Sequence, residues 1–245
     1  MCGICGCGEA HGQHRHKERG QAGPERRHLQ VELDLFAQNN RYARENRERF
    51  ERGDLLVLNL MSSPGAGKTE LLVATLKHQL GRYPIGVIEG DQQTQHDVER
   101  VRTTGVDAVQ INTGKLCHLD AHMIGHALEQ LPNLKGGILY IENVGNLVCP
   151  AAFDLGEDAK VVILSVAEGA DKPLKYPDMF HCAQLMVINK IDLLPYVDFD
   201  VATCIEYARR INPDIQVVQL SARTGEGMGE WFEWLAEQRS SRPLD

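Results

Sequence analysis

The stretch Leu55 to Thr69, LLVLNLMSSPGAGKT, limits the chain to few folds. Its continuous apolar run reads as a strand buried on both faces, and the turn after it ends in Gly-Lys-Thr, the mark of a phosphate-binding loop opening a helix. The full pattern is glycine, four residues, then Gly-Lys-Ser/Thr. Ser62 stands at the first position, while Gly65, Gly67, Lys68 and Thr69 are in place. The glycines let successive N–H groups turn toward phosphate oxygens, and the following helix adds the positive end of its dipole. The nucleotide-binding run is therefore Ser63, Gly65, Ala66, Gly67, Lys68, Thr69 and Glu70. Lys68 is placed to neutralise β and γ phosphates, and Thr69 to put its hydroxyl on Mg2+.

Short apolar runs then alternate with helical patterns. Strands are expected at Ile85 to Glu89, Ala108 to Ile111, Gly137 to Ile141, Val161 to Ala167, Leu185 to Ile188 and Ile215 to Leu220. Buried runs separated by helices predict an α/β fold with a doubly wound, mostly parallel sheet. In such sheets ligands sit beyond the carboxyl ends of strands. The candidate residues fall there. Asp91 follows the second strand and Glu142 ends the fourth, so both are candidates, with Thr69, to hold Mg2+ and, with Lys68, to serve catalysis. Glu142 to Gly145 has the acidic-x-x-Gly form that senses a γ-phosphate. Asn189-Lys190-Ile191-Asp192 is the guanine-reading tetrapeptide, in which Asp192 accepts from two ring and exocyclic donors that adenine lacks. Ser221, Ala222 and Arg223 form the companion loop toward guanine O6, so GTP and GDP are expected over ATP.

The chain opens differently. Residues 1–23 are rich in glycine and charge and predict a flexible segment; 24–52 predict a helix or helix pair leading in; 53–245 predict the GTPase domain. The first 52 residues hold ten Lys/Arg against eight Asp/Glu, so the net charge of −8 lies wholly in the rest, which argues against nucleic acid. No run approaches the ~18 apolar residues of a membrane span and no signal peptide is evident, so no membrane and a cytoplasmic site are expected. Seven cysteines, three of them at Cys2, Cys5 and Cys7, point to metal chemistry with zinc, nickel or copper(I), or to redox chemistry. His11, His14 and His16 follow, as loose metal ligands or solvated side chains. A second constellation lies in NTGKLCHLDAHMIGH. Cys117 and His118 are adjacent, His118, His122 and His126 recur every four residues as on one helix face, and Cys149 lies just past the γ-phosphate sensor. Thiolate and imidazole suit nickel or zinc, in a site that two subunits could share. Cys182 and Cys204 read as structural, in helices.

With SSPGAGKT, EGD, TGKLCH, IENVGN, EGADKPLKYP, NKID and SARTGEG assembled, the chain closely resembles the HypB family of nickel-incorporation GTPases, from Cys2 to Met228. The resemblance implies a SIMIBI-class G domain that forms a homodimer with GTP and carries Ni2+, or Zn2+, during [NiFe] hydrogenase maturation. It assigns Cys2, Cys5 and Cys7 to a tight nickel site and Cys117, His118 and Cys149 to a weaker one, with His122 as a further ligand position in some members. It implies as partners a HypA-type nickel/zinc co-chaperone and the hydrogenase large subunit precursor. Lys172 and Lys175 stand in a shared motif without an assigned role. The short histidine tract departs from members that store nickel, and Ser63 replaces a lysine that some relatives reach across the dimer. No glutamine or arginine finger is evident, so slow intrinsic turnover is expected. Other readings are a chaperone of the urease or cobalamin type and a GTP-dependent metal-binding module without turnover.

Overall fold

The computed structural model describes residues 24–91 and 96–241. The Cys2, Cys5 and Cys7 cluster and the histidines after it lie outside the described residues. Strands β1 (Leu56–Ser62), β2 (Ile85–Asp91), β3 (Asp107–Asn112), β4 (Ile138–Glu142), β5 (Ala159–Ser165), β6 (Leu185–Asn189) and β7 (Gln216–Gln219) form one sheet in the order β3-β2-β4-β1-β5-β6-β7. Every pairing is parallel. The doubly wound sheet predicted from the alternating runs is therefore present, with each predicted strand in place and only its ends moved.

The helices are α1 (Pro24–Arg52), α2 (Lys68–Gln79), α3 (His96–Arg102), α4 (Ala121–Leu128), α5 (Cys149–Ala152), α6 (Lys172–Lys175), α7 (Pro177–His181), α8 (Val201–Ile211) and α9 (Met228–Ser240). The chain divides into Met1–Leu35 and Phe36–Asp245, and the second unit holds the sheet. Where a helix or a helix pair was expected before the first strand, α1 is one helix of 29 residues. Cys204 lies in α8 as expected, whereas Cys182 caps α7 rather than continuing it. Among the described residues no helix is long and apolar enough to cross a membrane.

Strand β1 explains why its sequence is apolar without alternation: it is buried along its whole length between β4 and β5. Leu56, Leu58 and Leu60 pack with Leu71, Leu72 and Leu76 of α2 and Trp231 of α9. Val57 faces the other way, toward Phe50, Ile124 and Leu139. A fully buried leucine contributes ~1.5–3 kcal/mol, so this strand anchors the domain as well as the loop that follows it. The edge strands contrast with it. Gln216 and Gln219 of β7 and Asp107 and Asn112 of β3 are exposed, polar positions that discourage further strand pairing.

Candidate nucleotide and metal site

The phosphate loop leaves β1 at buried Ser62, whose hydroxyl donates to the Ser63 carbonyl at 2.8 Å. Helix α2 opens at Lys68, after Gly67 at φ 95°. Glycine is needed there twice over: the positive φ strains any side chain, and a Cβ would meet Asn189 Nδ2 at 2.5 Å. The loop walls a cleft of about 430 Å3, lined by Pro64 through Glu70 on one side and by Glu89, Asp91, Asp97, Arg100, Glu142 and Gly145 on the other. Ser63, predicted on the nucleotide, gives its hydroxyl to Glu168. Glu168 also accepts from the Ser165 N–H at 3.1 Å and pairs with Lys172 at 3.3 Å. Lys175 pairs with Asp171 at 2.6 Å.

Glu89, Asp91, Asp97 and Glu142 converge in the cleft. Glu142 is 1% exposed; its Oε1 accepts from the Thr69 hydroxyl at 2.6 Å and lies 3.3 Å from Lys68 Nζ. Its Oε2 is buried with no partner, and so is Oε2 of Glu89. Burial first, then the charges of Glu142, Asp91 and Asp97, push the Glu89 carboxyl up to about 8, against the pull of Lys68. Two orphaned carboxylate oxygens beside a threonine hydroxyl suit a hard divalent cation such as Mg2+, which prefers oxygen ligands. Sequence reasoning singled out Asp91 and passed over Glu89. The signal was the period of the strand, since residues two apart on β2 face the same side. Asp97 and Arg100 were also missed, because each is brought in by helix packing rather than by a motif, and Glu168 opens the EGADKPLKYP motif without its contact with the phosphate loop being legible there.

Glu89 makes the nucleotide-free, metal-free protein pH-sensitive in a defined direction. A carboxyl raised by folding adds stability that is present below its ordinary value near 4.5 and is lost as pH rises through about 8. Glu89→Gln is expected to flatten this slope and to raise the urea midpoint of the empty protein at pH 8.5, while weakening Mg2+-dependent nucleotide binding. Urea melts at pH 6 and 8.5 check it; equal shifts at both would contradict the assignment.

A second pocket, lined by Gly67, Glu70, Asn189, Lys190, Asp192, Ala222 and Arg223, adjoins the first. Asn189 organises it. Its Nδ2 donates to the Ala66 carbonyl at 2.9 Å, and its Oδ1 accepts from the N–H groups of Lys190 at 2.7 Å and Ala222 at 3.1 Å. Lys190 holds a left-handed backbone, φ 65°, and its Nζ donates to the Gly65 carbonyl at 2.6 Å. Such strain persists at sites where surrounding contacts enforce it. Asp192 Oδ1 is buried and unpartnered, an acceptor suited to a base edge that offers N–H groups. Ser221 is fully buried, and its hydroxyl accepts from the Thr224 N–H at 3.2 Å, so its side chain braces the loop.

The metal candidates divide. Ligand atoms of Cys117, His118 and Cys149 lie within 4.8 Å of one another. The two sulfurs are 2.7 Å apart, and Cys117 Sγ is 3.9 Å from His118 Nδ1. Contact with Cys117, then burial, raises the Cys149 thiol. Burial lowers His118, whose ring stacks on Phe153 with centroids 3.9 Å apart. A neutral imidazole beside two reduced thiols is a borderline-metal ligand set, and loading it would release protons. His122 lies outside this group. The expected common helix face of His118, His122 and His126 does not form, because α4 begins only at Ala121, with Asp120 capping the Met123 N–H at 2.8 Å. His122 and His126 do share the exposed face, Nε2 to Nε2 at 3.0 Å, and His122 packs on Tyr42. The loops around the cluster are held by α1: Asn46 Nδ2 donates to the carbonyls of Ala121 at 2.7 Å and Leu155 at 3.1 Å, and Arg47 pairs with Asp154 at 2.8 Å.

Residues 56–219 match the family described as CobW/HypB/UreG, nucleotide-binding domain. The chain is 67% identical over 216 residues to hydrogenase maturation factor HypB of Azotobacter vinelandii, covering 88% of this chain and 71% of that one. Among solved structures it is similar to hydrogenase maturation factor HypB of Archaeoglobus fulgidus, 42% identical with a TM-score of 0.78, over 83% of this chain and 99% of that one. It is also similar to HypB of Helicobacter pylori in complex with nickel, 39% identical with a TM-score of 0.79, over 84% and 98%. The family match, the sequence identity and the structural similarity agree, and the chain belongs to the HypB family of hydrogenase maturation factors.

Proposed function

We propose that this chain is a GTP-hydrolysing nickel carrier for [NiFe] hydrogenase maturation, in which nucleotide state governs the metal held by Cys117, His118 and Cys149. The observation that carries the reading is the meeting of the two sites: Cys149 follows the Glu142–Gly145 segment that lines the phosphate cleft, and its sulfur touches Cys117. Nickel is supported as cargo by the thiol–imidazole set and by the nickel complex of the Helicobacter pylori relative; zinc would compete for the same ligands. Thr69, Asp91 and Glu142, joined by Glu89, would hold Mg2+, and Asn189, Lys190, Asp192, Ser221, Ala222 and Arg223 would form the guanine site. Mg2+ supplies charge neutralisation at the phosphates. Lys68 and the loop N–H groups orient the phosphates and stabilise charge that develops on the γ-phosphate. Intrinsic turnover is slow in this reading, since Arg100, the other cation among the described residues lining the cleft, is engaged by Glu70 and Asp97.

The reading extends to a GTP-dependent homodimer in the cytoplasm, to Cys2, Cys5 and Cys7 as the tighter nickel site, and to a HypA-type co-chaperone and the hydrogenase large subunit precursor as partners. Sedimentation with nickel tests it, comparing GDP with a non-hydrolysable GTP analogue while nickel–thiolate absorbance is recorded. The analogue is expected to drive dimerisation and to change nickel occupancy. Cys117→Ala or Cys149→Ala is expected to abolish the occupancy change and to weaken nickel at this site by about 100-fold or more. Occupancy indifferent to nucleotide, or unaffected by both substitutions, would sink the coupling.

A further inference from the structure

The two halves of the thiol–imidazole cluster lie on separate segments: Cys117 and His118 in the loop between β3 and α4, and Cys149 at the first residue of α5. Two asparagines, one in the intervening sensor segment and one just after it, join them. Asn143 is 1% exposed and follows Glu142. Its Oδ1 accepts from the N–H groups of Leu119 at 3.2 Å and Val144 at 2.9 Å. Its Nδ2 donates to Asn59 Oδ1 at 3.2 Å, and Asn59 Nδ2 donates in turn to Glu157 Oε1 at 3.0 Å. Its backbone N–H donates to the Leu60 carbonyl at 3.0 Å. This carboxamide cannot flip without turning its N–H groups toward two donors. Three residues on, Asn146 Nδ2 donates to the Cys117 carbonyl at 3.4 Å.

We propose that Asn143 is a positioning residue that suspends the Cys117–His118 loop from the phosphate-sensing segment, so that a backbone rotation between Glu142 and Gly145 reaches the metal ligands through the Leu119 N–H. The inference deepens the nickel-carrier reading and rests on it for the cargo. Leu119 is fully buried, so its N–H has no water to turn to when Oδ1 moves away. The loop must follow the carboxamide or leave a donor orphaned. The opposite end of the carboxamide is held by Asn59, in the middle of β1 and buried on the central strand, so a backbone rotation swings Oδ1 about the Nδ2–Asn59 bond and carries the Leu119 N–H with it. Aspartate would accept from Leu119 but could not donate to Asn59, and leucine could do neither; the position requires an amide. Asn146 gives the loop a second, weaker hold one side chain away.

The test uses the full chain with Cys2, Cys5 and Cys7 changed to alanine, so that nickel absorbance reports the cluster alone. Hydrogen exchange is followed on the peptide containing Leu119, at saturating GDP and at saturating non-hydrolysable GTP analogue. In this background, exchange at Leu119 is expected to differ between the two nucleotides. Adding Asn143→Ala is expected to speed exchange there about tenfold, to weaken nickel about tenfold, and to bring the GDP-to-analogue ratio of nickel affinities close to one. Asn146→Ala, at a partly exposed position, is expected to leave Leu119 exchange unchanged and to weaken nickel by less. Equal Leu119 exchange in both nucleotides before Asn143 is touched would overturn the linkage, even if Asn143→Ala does not fold. So would a folded Asn143→Ala protein with unchanged Leu119 exchange or an unchanged affinity ratio. If nickel affinity responds to nucleotide while Leu119 does not, the carrier reading stands and the linkage falls; if Leu119 responds and Asn143→Ala removes that response while nickel is indifferent to nucleotide, the hold of Asn143 on Leu119 stands, and its reach to the metal falls together with the carrier reading.

Discussion

Lys68→Ala is expected to lower the steady-state rate of phosphate release from GTP by about 100- to 1,000-fold, the range for removing one preorganised charge from a developing anion. The geometry gives reasons for the upper half of that range. Lys68 is nearly buried, with its ammonium 3.3 Å from Glu142 Oε1, so its charge acts where solvent screens poorly. Among the described residues lining the cleft, the other cation is Arg100, already held by Glu70 and Asp97. Arg100 is thus not free to replace Lys68. The same substitution removes the one neighbour that opposes the rise of the Glu89 carboxyl, so the empty protein is expected to lose stability too. Adding Glu89→Gln is expected to restore the urea midpoint without restoring turnover, which separates folding from catalysis. Phosphate release within threefold of the unsubstituted protein would show that Lys68 does not touch the reacting phosphate.

Asp192→Asn is expected to weaken GTP binding by roughly 100-fold or more and to transfer preference to xanthine nucleotides. A carboxylate accepts two hydrogen bonds from the guanine edge, each worth about 1.5–3 kcal/mol when one partner is charged. The buried, unpartnered Oδ1 shows that this acceptor is held open by the fold rather than consumed by a neighbour. The carboxamide presents one donor and one acceptor instead, which matches a base bearing a second carbonyl where guanine has its amine. Competition of GTP, XTP and ATP against a fluorescent GDP analogue measures it. Retention of GTP preference would mean that the base is read elsewhere.

Much of this was legible because the motifs are local. A glycine loop after an apolar run, or an Asn-Lys-x-Asp after another, carries its geometry within one strand and one turn, and the parallel sheet aligns those turns at one end. The strands were legible for the same reason: burial on both faces removes the alternation that makes half-exposed strands ambiguous. What escaped was set by distance in the chain. His122 carries the spacing of a ligand, yet the Asp120 cap starts the helix too late for His118 to share its face. Glu89 looks like any acid in a strand until Glu142, from a strand placed beside it by the sheet order, arrives to repel it. Asn143 fills a position that the acidic-x-x-Gly form leaves open, and its role depends on Asn59 and Leu119 coming together around it.

Asn189 also bears on how a nucleotide leaves. Its single carboxamide is bonded at once to the loop that would hold phosphates, to the backbone beneath Lys190 and to the loop that would face guanine O6. The two ends of a bound nucleotide would therefore be held by loops that share one side chain, and each end would present the other at high effective concentration. Guanosine alone or pyrophosphate alone forfeits that advantage. A whole nucleotide would gain from both ends, so loss of the Asn189 carboxamide would be expected to shorten its residence more than it weakens either fragment.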